Sequence, residues 1–271
     1  MVSQTSQRID ALKAEGRPAL IGYLPCGFPS VARSIKAVTA MIDAGVDIVE
    51  LGLPYSDPVM DGPVIQRASE AALAGGTRVR DVFTVVEAVR AYSPQTPVLV
   101  MSYFNPVLRY GVDAFARDLA AAGGAGLITP DLVPDEGAQW LAAAEAHDLD
   151  RVFLVAPSST PARLELTSAA SRGFVYAASH MGVTGARDSV DEAARRLVEA
   201  TRQAGAERVC LGLGVTTAEH ASLVGRFADG VIVGSAFVNA LSVDEEWPAR
   251  LDALTAVAHH FAEGVANSRK A

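Results

Sequence analysis

VDIVELGLPYSDPVMDGP, residues 46–63, holds the reading that decides the fold. Its first half is a short apolar, β-branched run of the kind that forms a strand covered on both faces. Its second half is a Pro- and Gly-rich loop. Glu50 lies inside the strand, and Asp61 follows in the loop. Side chains alternate along a strand, so if Val49 and Leu51 face covering helices, Glu50 faces the other side. An isolated, ionised carboxylate buried there is costly unless it is paired or its pKa rises. The neighbouring apolar runs carry no arginine in mid-run to hold it. Asp61 alone reads as a turn residue before Gly62. Beside Glu50 at one strand end, it completes an acid/base pair with one carboxylate buried and the other partly solvated. Asp57, in the same loop, competes with Asp61 for that role.

Outward from this stretch the same unit recurs. Apolar runs occupy 19–24, 46–53, 97–103, 126–132, 151–156, 173–178, 208–214 and 230–235. Amphipathic, Ala-rich segments separate them, among them 30–45 and 135–148, with Ser30 and Asp135 as N-caps and Gly45 and Gly123 as C-terminal stops. Eight strand–helix units in 271 residues are the arithmetic of a closed (β/α)8 TIM barrel. The expectation is a single α/β barrel domain over 1–271, with segment 3–14 as an extra N-terminal helix across its bottom. A doubly wound open sheet is the alternative. It would have fewer strands and a glycine fingerprint after the first, which LPCGFPS (24–30) lacks.

In such a barrel, chemistry sits where the strands end. Three glycine-rich ends fall late in the chain: HMGVTGARD (180–188), LGLGV (211–215) and VGSAF (233–237), the last opening a short helix, SAFVNAL. Backbone N–H groups at such ends can cradle a phosphate, which makes Gly185, Gly214, Gly234 and Ser235 its candidate positions. Each glycine taken singly is equally an ordinary turn. The Tyr176 hydroxyl could reach a carboxylate across the mouth, or the ring could simply pack. Tyr23, Met101, Ile128 and Leu213 either form an apolar pocket or belong to the core.

A net charge of −8 argues against a nucleic-acid backbone as partner, though not against a small phosphate. No run approaches the ~18 apolar residues of a membrane span. The first residues are polar, without a signal-peptide core. Cys26 and Cys210 read as buried thiols in a reducing compartment, and a cytoplasmic protein is expected. No His/Cys cluster has metal-ligand spacing, so no metal is expected.

ELGLPYSDPVMDGPVIQ (50–66), the NP of YFNPV (103–107), PDLVPDE (130–136), YAASHMGVTGAR (176–187), LGLGV and VGSA stand in an order that resembles the α subunit of tryptophan synthase across essentially the whole chain. The resemblance implies a barrel that cleaves indole-3-glycerol phosphate to indole and glyceraldehyde 3-phosphate. It implies Glu50 and Asp61 as the catalytic carboxylates, with Tyr176 beside the glutamate. It places the phosphate at Gly185, Gly214, Gly234 and Ser235. It implies no cofactor in this subunit, and a pyridoxal-phosphate β subunit as partner in an α2β2 assembly, taking indole through a tunnel. Asp57, Pro58 and Asn105 match positions facing that partner. The chain departs from the family at His180, often arginine, and at Gly27-Phe28-Pro29, where Gly-Asp-Pro is usual. Three alternatives stay open: a standalone lyase releasing free indole, another sugar-phosphate barrel, and a non-catalytic regulatory barrel.

Overall fold

The computed structural model describes residues 3–178, 187–212 and 214–268. Eight parallel strands close into a barrel in sequence order: β1 (Ala19–Pro25), β2 (Ile48–Gly52), β3 (Val98–Met101), β4 (Gly126–Thr129), β5 (Asp150–Val155), β6 (Val175–Ala178), β7 (Val209–Gly212) and β8 (Gly230–Val233). β1 pairs with both β2 and β8, so the sheet has no open edge and the doubly wound alternative falls.

Helices follow the strands: α1 (Gln4–Ala14) ahead of β1, α2 (Val31–Asp43), α3 (Pro63–Ala74), α4 (Val79–Tyr92), α5 (Phe104–Tyr110), α6 (Val112–Ala121), α7 (Ala138–Ala146), α8 (Pro161–Ala170), α9 (Arg187–Gln203), α10 (Ala218–Gly225), α11 (Ser235–Leu241) and α12 (Trp247–Ala266). The Ser30 hydroxyl accepts from the Arg33 N–H and caps α2. Gly45 and Gly123 stand just past α2 and α6 with φ of +106° and +82°, where a side chain would be strained. Asp135 does not cap a helix. Pro134 opens a short 3-10 turn, Pro134–Glu136, α7 starts only after Gly137, and the Asp135 carboxylate pairs with Arg163 on α8.

Several strands are shorter than their apolar runs. β4 stops at Thr129 because Pro130 has no N–H to continue the ladder. β3 stops at Met101, and Tyr103 becomes the residue before α5.

Alternation divides the strand side chains into two clusters. Val49 and Leu51 point outward into the layer between strands and helices, with Val38 and Met41 of α2. Ile21, Ile48, Leu99, Ile128, Val152 and Cys210 fill the barrel interior, closed at the bottom by Ile9 and Leu12 of α1. α1 is therefore the bottom helix expected from segment 3–14. Ion pairs fasten it and the chain after it. Arg8 and Arg17 both bind the buried Asp47, at 2.6 and 2.7 Å, and Lys13 reaches Asp229 at 3.1 Å. Asp47 also accepts the Leu20 N–H at the start of β1. α1 thus closes the barrel interior at its bottom.

Candidate active site

A cavity of about 360 Å³ lies at the C-terminal mouth, and Glu50 and Asp61 both line it. Glu50 is the middle residue of β2, between outward-facing Val49 and Leu51, and therefore points inward. It is 1 % exposed, and its Oε2 has no hydrogen-bond partner among the described residues. Burial, with the Asp61 charge adding to it, pushes its carboxyl up to about 8. At neutral pH Glu50 is thus a protonated acid, which is how a carboxyl persists in an apolar strand without a cation.

Asp61 sits higher, in the loop between β2 and α3. Its N–H donates to the Pro58 carbonyl at 3.1 Å, and its own carbonyl accepts from Gln66 Nε2 at 2.9 Å. The carboxylate Oδ1 accepts a 3.3 Å hydrogen bond from the Tyr103 hydroxyl, which itself accepts the Met60 N–H at 2.8 Å. Burial pushes Asp61 up to about 6, with the Tyr103 bond working against it. The two carboxyls thus have different environments and different protonation near neutrality. Asp57 does not compete: it is exposed, bonded to Ser56 Oγ at 2.7 Å, and absent from the cavity wall.

Two tyrosines complete the floor. Tyr23 and Tyr176 are buried, and both line the cavity. Each phenol lies over a glycine of the next strand. A Cβ at Gly52 would come within 2.3 Å of the Tyr23 hydroxyl, and one at Gly212 within 2.3 Å of the Tyr176 hydroxyl. Tyr176 makes no hydrogen bond to Glu50 here, although the Glu50 charge contributes to raising its pKa.

Met101 lines the cavity as the pocket reading expects, whereas Ile128 does not. Ile128 is fully buried in the barrel's inner cluster, on the core side of the two readings, and Ile232 is an apolar wall residue that the sequence reading passed over. Gly214 (φ +105°), Gly234 and Ser235 all reach the same cavity, with Ser235 opening α11. The Gly234 carbonyl accepts the Phe237 and Val238 N–H groups at 3.0 and 3.1 Å, which leaves the N–H groups of Ser235 and Ala236 without acceptors inside α11. Gly185, Leu213, His180 and Met181 lie outside the described residues.

Sequence reasoning also missed Tyr103. Its place two residues beyond β3, at the mouth, was the available signal. Its ring lies 5.4 Å from that of Tyr55, whose hydroxyl accepts from Asn105 Nδ2 at 2.9 Å. Asp57, Pro58 and Asn105 all stand on this outer rim beside Val59, which is 81 % exposed. Among the described residues no group of three or more His, Cys, Asp or Glu is placed to hold a metal.

The fold and the site define a class: a (β/α)8 barrel with two carboxyls in a cavity at its C-terminal mouth. Comparison with known proteins narrows it. The family model described as tryptophan synthase alpha chain matches residues 9–266. The tryptophan synthase alpha chain of Mycobacterium marinum is 62 % identical over 239 residues, covering 88 % of each chain, and that of Mycobacterium avium is 60 % identical over 256 residues, covering 94 % of this chain and 92 % of the other. A solved Mycobacterium tuberculosis tryptophan synthase chain superposes with a TM-score of 0.89 at 56 % identity, covering 98 % of this chain and 99 % of the other. The alpha subunit from Legionella pneumophila gives the same TM-score at 29 % identity, covering 98 % and 100 %. The chain belongs to the tryptophan synthase alpha chain family, and it is a lyase of the alpha reaction.

Proposed function

We propose that the chain cleaves indole-3-glycerol phosphate by a retro-aldol reaction, with Glu50 as the proton donor and Asp61 as the charge-stabilising carboxylate. The supporting observation is the pair itself: a buried carboxyl held neutral near pH 7 and a second, half-buried one that is ionised, in one cavity. Glu50 delivers its proton to indole C3, giving an indolenine with positive charge near N1. Asp61 accepts the N1–H hydrogen bond and offsets that charge. The glycerol hydroxyl next to the bond passes its proton to the now ionised Glu50, its oxygen becomes the aldehyde, and the carbon–carbon bond electrons return to the ring. Protons balance: Glu50 begins and ends neutral. Tyr176 flanks Glu50, and Tyr23 and Met101 border the indole. The phosphate lies at Gly214, Gly234 and Ser235, with Gly185 assigned by family resemblance. Binding energy there positions the reacting carbons.

The chain needs no cofactor of its own. A β subunit carrying pyridoxal phosphate receives the indole in an α2β2 assembly, docking on the rim of Asp57, Pro58 and Asn105. The exposed Val59 on that rim supports a covering partner. Cytoplasmic location agrees with two buried free cysteines and with the absence, among the described residues, of a helix long and apolar enough to cross a membrane.

The test is indole formation from indole-3-glycerol phosphate, with and without the β subunit. Slow formation that rises on mixing supports the reading. Fast formation indifferent to the partner would make this a standalone lyase, and no formation in either case would remove the chemistry.

A further inference from the structure

We propose that the Tyr23 hydroxyl is a positioning group for Glu50, donating a hydrogen bond to its carboxylate at the moment the proton leaves. The inference rests on the reading of Glu50 as proton donor. Tyr23 and Glu50 are register partners on adjacent strands, β1 and β2, so their side chains enter the barrel side by side. The Tyr23 ring is 6 % exposed and wedged between glycines. A Cβ at Gly234 would come within 3.2 Å of its Cδ1, and one at Gly52 within 2.3 Å of its hydroxyl. Gly52 is the next inward-facing position beyond Glu50 on β2. The phenol oxygen is therefore held on the mouth side of Glu50, in the cavity that Asp61 also lines.

The hydroxyl has no hydrogen-bond partner among the described residues, and neither does Glu50 Oε2. A buried acceptor left open beside a phenol on the adjacent strand is an arrangement to be filled in another state, since an unmet buried polar group is costly. While Glu50 is protonated it has little need of a donor. Once it has given its proton to the substrate it is a carboxylate in a cavity whose described walls carry no lysine or arginine. The titratable groups around it are Tyr23 on β1, Asp61 above β2, Tyr176 on β6 and Cys210 on β7. Of these Asp61 repels its charge, Cys210 is a weak donor, and only the two phenols are strong donors. Tyr176 and Tyr23 would meet the carboxylate from opposite sides of the barrel. A phenylalanine at position 23 would border the indole equally well, so the hydroxyl is the part that needs a reason.

The experiment is Tyr23→Phe in the full chain, with initial rates of indole formation from indole-3-glycerol phosphate measured across pH, alone and with the β subunit. The substitution removes one oxygen that bonds to no other described residue, so the fold should survive. We expect kcat to fall about tenfold with KM nearly unchanged. Losing a donor to the ionised form raises the Glu50 pKa, so the high-pH limb of the rate should move to higher pH. A direct titration of the Glu50 carboxyl carbon by NMR should show the same upward shift. An unmoved limb and an unmoved titration, with wild type active and Glu50→Gln inactive, overturn the role of Tyr23 alone. A wild type that forms no indole, or an active Glu50→Gln, overturns the parent reading and this inference with it.

Discussion

At the scale of the residue, burial does the chemical work. Glu50 and Asp61 are carboxyls of ordinary type, separated only by how much water each has lost. That separation predicts a bell-shaped pH profile for cleavage. Asp61 must be ionised, which fails as pH falls through about 6, and Glu50 must be protonated, which fails as pH rises through about 8. The two limbs belong to the coupled pair, and the profile of kcat/KM, which reports the free enzyme, should plateau between them. A rate that climbs steadily beyond pH 9 would rule out Glu50 as the acid. Replacing Glu50 by Gln should lower kcat at least about 100-fold while substrate still binds, as expected on losing a general acid. Asp61→Asn should cost a similar factor through the lost charge. Retained turnover in either variant, with folding checked by circular dichroism, would remove that residue from the mechanism.

The raised Glu50 pKa also has a consequence for stability. In the unfolded chain Glu50 ionises near the usual glutamate value, whereas in the fold it stays protonated up to about 8. The unfolded state thus binds fewer protons across that window. The stability linked to this group is fully present below the unfolded pKa and is lost as pH rises toward 8. Wild type should lose stability relative to Glu50→Gln between pH 5 and pH 8, by on the order of a few kcal/mol. Urea unfolding of both proteins at the two pH values measures this, and parallel changes would contradict the burial argument.

At the scale of the element, strands aim and loops tune. β2 places Glu50 by alternation alone, but the loop after it sets Asp61 through partners on α3 and beyond β3. The glycines of β2 and β7 make room for the phenols of β1 and β6. Gly212→Ala would push on the rigid Tyr176 phenol. We expect a loss of roughly 1–3 kcal/mol in stability and a lower rate of cleavage, read by thermal unfolding and by indole formation. At the opposite end, Asp47→Ala would take the shared carboxylate from Arg8 and Arg17, leaving Arg17 only its longer Glu15 pair, and the acceptor from the Leu20 N–H. It should cost about 2–4 kcal/mol, yet leave kcat of the folded protein unchanged, because the bottom of the barrel carries no chemistry. A fall in kcat at saturating substrate would show that the two ends are coupled.

At the scale of the whole molecule, the proposed substrate cavity and the proposed docking rim share one mouth. The Tyr55–Tyr103 contact joins the rim, where Asn105 holds Tyr55, to the Asp61 carboxylate. A β subunit seated on that rim would press on Tyr55, which packs against the tyrosine that holds Asp61. Val59→Asp, at the most exposed apolar side chain of the rim, should weaken activation by the β subunit at least about tenfold in the concentration required, with the rate of the chain alone unchanged. Titration of indole formation against added β subunit reads this, and an unaltered titration would place the docking surface elsewhere.

The eight-strand pattern, the outward Val49 and Leu51, the inward Glu50 and the helix at the bottom were all legible in the chain. They follow from local periodicity, and a one-residue slip would turn every strand side chain to the wrong face. The α2 cap at Ser30 was legible for the same reason, because a cap is a contact over three residues. Asp135 misled because a partner on another helix, Arg163, outbid the local N–H groups. Ile128 sat on the boundary between pocket and core, which depends on depth in the barrel and not on the residue type. The Tyr103–Asp61 hydrogen bond, and the fit of Tyr23 over Gly52, were invisible because each joins residues from different strands or loops. The sequence by itself therefore determined the barrel and which strand carries the inward carboxyl, since both are set by spacing along the chain. Only the tertiary structure decided that burial raises the Glu50 carboxyl further than that of Asp61, and which phenols surround them. Those properties come from lost water and from neighbours brought together by closure of the sheet.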